Sequence, residues 1–294
     1  NEIKIKDFTL PISLSYHSSG IRVEEIATWV GLGWCLNAGG VIAREIRGIP
    51  DDQYEVNNLK DEAGTHVFCT NAGYLYSGNI ISDFCNGIGE LTEEQFWKLS
   101  HGGLDGEPDI FCYNFFGYTG KFILDYEGNP HQFEQDNLII SFSKEQYGFI
   151  DEFVITTDDG IVVTFSKKEQ ITKYKGLKTD KIFHHNWDGD DNVDTYTTAW
   201  YISSISFPDT QHSIDFEYSS DEIITLRRNR EERRKYRNSP WSLPYWASYY
   251  YNTVLKINSL RLDKIIWNGG EMDFIAGLTR DDYDIYMDGI WTSN

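Results

Sequence analysis

The pattern of apolar and polar positions has a period of two over most of the chain. Leu10, Ile12, Leu14 and Tyr16 alternate with Pro11, Ser13 and Ser15, and Val41 to Arg47 reads as a second strand that closes this opening unit. That spacing predicts half-buried strands. Ile110 to Phe116, Lys121 to Tyr126 (Phe122, Leu124 and Tyr126 on one face) and Leu138-Ile140-Phe142 extend it, with a turn at Glu127-Gly128-Asn129-Pro130. Three hairpins share a plan. Phe153–Thr157 returns through Asp158-Asp159-Gly160 as Ile161–Phe165. Trp200–Phe207 returns near Pro208-Asp209 as Ile214–Tyr218, and Leu260–Trp267 returns through Asn268-Gly269-Gly270 as Glu271–Ile275. Asp-Gly and Asn-Gly suit tight hairpins because both residues accept positive φ. The spacing is too uneven for a propeller or regular solenoid.

These elements predict an all-β fold, mostly antiparallel hairpins in a curled sheet, sandwich or shell. A short helix is predicted near 92–100, where Thr92 stands three residues before Gln95 as in a capping box, ahead of Phe96, Trp97 and Leu99. The chain divides into an opening unit over 1–48, an irregular insertion over 49–108 and a hairpin meander over 109–294 with insertions at 184–198 and 221–252. The insertion at 49–108 is expected to cover a sheet edge or form a lid.

The opening unit holds an unusual stretch, Trp29-Val-Gly-Leu-Gly-Trp34, followed by Asn37-Ala-Gly-Gly40. Trp29, Gly31, Gly33, Trp34, Gly39 and Gly40 fit a packed structural corner, glycine allowing turns and close approach and tryptophan supplying buried area. A ligand platform is the competing reading.

Composition sharpens the picture. The 294 residues are 40% apolar and 15% aromatic, with 19 Tyr and 17 Phe, which suits strands over helices. The net charge of −20 argues against general nucleic-acid binding. No apolar run is long enough to span a membrane, and NEIKIKDF has no signal-peptide character. The abrupt start and stop suggest a piece of a larger secreted or surface protein. Cys35, Cys69, Cys85 and Cys112 lack C-x-x-C spacing, so no zinc site is expected. Cys69 and Cys85 are candidates to pair in an oxidising compartment, with buried free thiols as the default.

Several clusters invite functional readings. Asp188, Asp190, Asn192 and Asp194 place oxygens at alternate positions, a weak Ca²⁺ candidate. Val193 and Ala199 stand where an EF-hand loop needs glycine and glutamate, so a solvated acidic loop fits better. The adjacent His184 and His185 would point apart in a strand. No metal or other cofactor is expected. Leu226 to Asn238 is a basic island carrying Arg227, Arg228, Arg230, Arg233, Arg234, Lys235 and Arg237. It reads as a docking surface for an acidic partner, or as an exposed insertion or solvated helix. Trp241, Tyr245, Trp246 and Tyr249 lie in a proline-broken aromatic run. They suit an interface with a neighbouring segment or stacking on sugar rings, which makes a glycan a candidate partner. No G-x-S-x-G, H-E-x-x-H or P-loop is present. A glycosidase carboxylate pair is the one enzymatic reading left open.

The stretch LPISLSYHSSGIRVEEIATWVGLGWCLNAGGVIAREIRG resembles the N-terminal signature of the large Rhs/YD-repeat proteins of Bacteroidetes. It is more distantly similar to the N-terminal region of virulence-plasmid B and insecticidal toxin-complex B proteins. The likeness continues at Glu107-Pro-Asp-Ile-Phe111, Phe115 to Phe122, Ala199-Trp-Tyr-Ile202 and the Ile205–Tyr218 hairpin. Cys35 and Cys112 stand where that pattern has serine. The resemblance implies a non-catalytic structural region that helps close or seed a β shell around a C-terminal cargo. Its partner would be the downstream repeat region of the same parent chain. In the related virulence proteins the enzymatic activity resides in a separate C-terminal module.

Overall fold

A computed structural model gives the fold, describing residues 2–6, 8–17, 28–60, 65–146, 148–179, 193–208, 212–236 and 245–275. It is an all-β protein with two short helices. The opening strands are β1 (Glu2–Ile5), β2 (Phe8–Pro11), β3 (Ser13–Tyr16), β4 (Trp34–Asn37) and β5 (Gly40–Glu45). The insertion holds β6 (Glu55–Lys60), β7 (His66–Thr70), α1 (Tyr74–Cys85) and α2 (Glu93–Ser100). The meander holds β8 (Ile110–Phe115), β9 (Tyr118–Leu124), β10 (Pro130–Gln132), β11 (Ile139–Lys144), β12 (Ile150–Thr156), β13 (Val162–Thr179), β14 (Val193–Ser206), β15 (Ser213–Tyr236), β16 (Tyr245–Trp267) and β17 (Gly270–Asp273).

One large antiparallel sheet runs β10-β9-β8-β5-β14-β15-β16-β13-β12-β11, with β17 on β16. β13 also bonds β14, so β14, β15, β16 and β13 form a closed circuit of ladders. The sheet curls until strands near its opposite ends face each other: Phe122 of β9 meets Phe153 of β12 at 5.6 Å between ring centres. Phe153 also packs edge-on against Trp200 of β14 at 5.0 Å, and Phe115 of β8 against Phe165 of β13 at 5.6 Å. The terminal strands β10 and β11 are neighbours in sequence, and Gln132 donates to the Leu138 carbonyl between them at 2.9 Å. Alternation places Phe111, Tyr113 and Phe115 inside on β8, and Phe153 and Ile155 inside on β12.

The expected hairpins form with Thr156 opposite Val162, Ser206 opposite Ser213 and Trp267 opposite Gly270. The expected helix forms as α2, where Thr92 Oγ1 accepts from Gln95 N and Gln95 Oε1 accepts from Thr92 N. The opening alternation does not make one strand: it splits at Ile12 into β2, paired with β1, and β3, paired with β4. The stretch 49–108 is more ordered than its composition suggests, since it holds α1 and the β6–β7 pair. Of the stretch 221–252, expected to be an insertion, residues 221–236 lie in β15 and 245–252 in β16, and the two strands pair up to Tyr236 and Tyr245. No described helix is long and apolar enough to cross a membrane.

Candidate functional site

The period of two along β5 puts Ile42 and Arg44 on the inner face. Arg44 is therefore a cation inside a β core, its guanidinium 5.5 Å from the Phe111 ring and 6.0 Å from the Trp200 ring. A buried guanidinium needs anions. Nε donates to Asp109 Oδ2 and Nη1 to Asp52 Oδ1, each at 2.7 Å. Asp51 and Asp109 are interlocked: Asp51 N donates to Asp109 Oδ2 at 3.0 Å and Asp109 N to Asp51 Oδ1 at 2.9 Å. The Arg47 amide donates to Asp109 Oδ1 at 2.7 Å, and the Ile150 amide, on β12, to Asp52 Oδ2 at 2.8 Å. Asp105 accepts from the Ile49 amide at 2.9 Å and the Glu107 amide at 3.1 Å. The cluster thus ties β5, the loops at 49–52 and 105–109, and the start of β12 into one ionic plug.

Its charges do not balance, with four aspartates near one arginine. Burial pushes the Asp51 carboxyl up to about 8, with the Asp109 charge adding to it. Burial likewise pushes Asp105 up to about 7. Burial would lower the Arg44 guanidinium, but Asp52, Asp109 and Asp51 outweigh it and hold the arginine charged. Asp51 Oδ2 and Arg44 Nη2 are buried with no hydrogen-bond partner among the described residues.

A second polar group lies where β13 meets β14. Thr198 Oγ1 donates to Glu169 Oε1 at 3.2 Å, Tyr201 bonds the same carboxylate, and the Tyr201 and Tyr218 rings are 5.9 Å apart. Burial raises Glu169 and both tyrosines above their usual ranges. Sequence reasoning missed this group and the Arg44 cluster. The available signals were an arginine at an inward position of β5 and the Pro-Asp steps at 50–51 and 108–109.

The predicted corner divides in two. Gly39 and Gly40 form its tight part: a Cβ on Gly40 would stand 2.5 Å from Phe115 Cβ, and one on Gly39 3.0 Å from Ile202 Cγ2. Gly31 and Gly33 have φ of +118° and +74°, which favours glycine. The tryptophans are not the buried mass expected of them: Trp29 is 37% and Trp34 41% exposed. The reason is architectural. Trp34 sits on the two-stranded β3–β4 pair, its ring 5.1 Å from that of Tyr16, and Trp29 is covered by the Arg261 guanidinium at 5.5 Å.

The basic island is strand as far as Tyr236, and Arg237 lies outside the described residues. Arg227, Arg228, Arg230, Arg233 and Arg234 lie on β15, opposite Thr253, Asn252, Tyr251, Ser248 and Ala247 of β16. Tyr245, Trp246 and Tyr249 lie on β16, opposite Tyr236, Lys235 and Glu232. The basic and aromatic runs are therefore the two sides of one ribbon, a juxtaposition their separate readings did not contain. Trp241, Asp188, Asp190 and Asn192 lie outside the described residues, and Asp194 is in β14 opposite Lys173. Cys69 is buried and Cys85 exposed, both as free thiols. Among the described residues no group of His, Cys, Asp and Glu is arranged to hold a metal ion.

Comparison with known protein families, curated proteins and solved structures returned no match.

Proposed function

We propose that this chain is a non-catalytic structural region of a secreted or surface YD-repeat protein. It helps to close or seed a β shell around a C-terminal cargo, by steric enclosure and sheet-edge pairing. The observation that carries the reading is a sheet filled inside and open at its margins. Phe111, Phe122, Phe153, Phe165 and Trp200 occupy the interior, while β10, β11 and β17 each pair on one side only among the described residues. Unpaired strand margins are templates for further strands. The densest carboxylate group, around Arg44, is buried and bonded to backbone amides, which supports a role in holding the fold.

The test is capture of this chain by the repeat-containing remainder of its parent, supplied as a separate chain. Stoichiometric co-elution is expected. Two folded chains that elute apart would remove the shell reading. The alternative is a carbohydrate-binding module using Trp241, Tyr245, Trp246 and Tyr249. It predicts tryptophan fluorescence quenched by acrylamide and protected by a glycan, and the shell reading predicts no such protection.

A further inference from the structure

β15 is bonded to β14 over Ser213–Asp215 and to β16 over Ile214–Tyr236. From Phe216 onward its second edge has no strand partner among the described residues. Glu217, Ser220, Glu222 and Ile224 on this stretch are exposed, Ile224 at 38%. A long unpaired edge invites another strand unless its charges forbid it.

The charge order along β15 decides which strand fits. Glu217, Asp221 and Glu222 lie toward its start; Arg227, Arg228, Arg230, Arg233, Arg234 and Lys235 lie toward its end, with Glu231 and Glu232 among them. A strand that is acidic at one end and basic at the other is complementary to its own reverse. Antiparallel pairing centred on Thr225, with Asn229 bulged out of the ladder between Arg228 and Arg230, sets Glu217 opposite Arg234, Asp221 opposite Arg230 and Glu222 opposite Arg228, each twice by symmetry. Sliding by one pair in either direction sets Glu232 opposite Glu217 or Asp221, which is repulsive. A parallel, in-register pair would stack arginine on arginine. Two-fold symmetry is also the ordinary closure for two identical chains.

We propose that the free edge of β15 is the contact between two copies of this chain, paired antiparallel about a two-fold axis at Thr225. The dimer extends the sheet from one copy into the other and is held by backbone hydrogen bonds, with opposite charges setting register. This goes beyond the shell reading, because β10, β11 and β17 stay open for the parent's own strands. The two can fail separately: capture by the downstream chain reads one, and the mass of this chain alone reads the other.

The experiment is sedimentation velocity of the chain across a range of concentrations at low and high salt. A dimer that weakens as salt rises is expected. Arg230→Glu should weaken association at least about tenfold, by setting Glu opposite Asp221. Adding Asp221→Arg to Arg230→Glu should restore it, which also shows that the variants fold. A monomer at every concentration, or a dimer indifferent to charge reversal and its rescue, would overturn the proposal.

Discussion

Replacing Arg44 by alanine leaves Asp52 and Asp109 buried without their cation, and loss of one partner of a buried pair costs about 3–5 kcal/mol. Urea unfolding should show that loss as a lower midpoint, whereas an unchanged midpoint would mean the plug contributes nothing. The same cluster sets a pH dependence. Asp51 and Asp105 titrate near 8 and 7 in the fold, against about 4 in an unfolded chain. The folded state therefore holds protons that the unfolded state releases. Their stabilisation is full below about pH 4 and is lost as pH rises through 7 and 8. Unfolding midpoints should fall from pH 6 to pH 9, and Asp51→Asn should flatten that fall; a midpoint that rises over this window would contradict the assignment. Of this cluster, the sequence carried two faint signals, an arginine sharing the parity of Ile42 and the Pro-Asp steps at 50–51 and 108–109. Its anions come from residues 52 and 109, and no local pattern announces a pairing across that separation.

At the level of elements, legibility followed local chemistry. α2 was readable because its start is written in four residues, and the capping box is present as read. Thr92→Ala removes one half of it and should cost α2 about 1 kcal/mol. Amide exchange over Glu94–Phe96 should quicken while β8 and β12 keep their protection, since α2 buries no residue. α1 was not readable: Gly73 caps it without a side-chain bond, and its first turn has no acid. It is held by tertiary fit: a Cβ on Gly73 would run into the Pro50 and Asp51 carbonyl oxygens. Of the readings of the basic run, the solvated helix fails for a related reason. Arginine and glutamate suit helices or loops by propensity, and only the partner strand β16 makes 226–236 extended.

The hairpins and the all-β class were legible from period and turn chemistry, but sheet closure was not, because long-range ladders leave no local trace. Past Thr225 and Leu255 the ribbon of β15 and β16 joins that closure through β16, where Val254, Asn252, Tyr251 and Tyr250 bond β13. Thr225 and Leu255 are directly opposed, so a two-residue Asn-Gly turn joining them would shorten the ribbon without crossing the core. The shortened chain should melt cooperatively within about 5 °C of the parent, followed by near-ultraviolet circular dichroism. Loss of the cooperative transition would place the ribbon in the folding core.

The position of β5 has a consequence in time. It lies between β8 and β14, with Ala43 opposite both Cys112 and Ala199. A chain made from its N-terminus has residue 43 in hand long before residue 199. At roughly 5–20 residues per second the wait is on the order of ten to thirty seconds. Through that interval one side of β5 stays unbonded on the growing chain, beside an arginine meant for the interior. Synthesis of this protein therefore contains a defined window of vulnerability, in which a chaperone's hold on β5 would matter most.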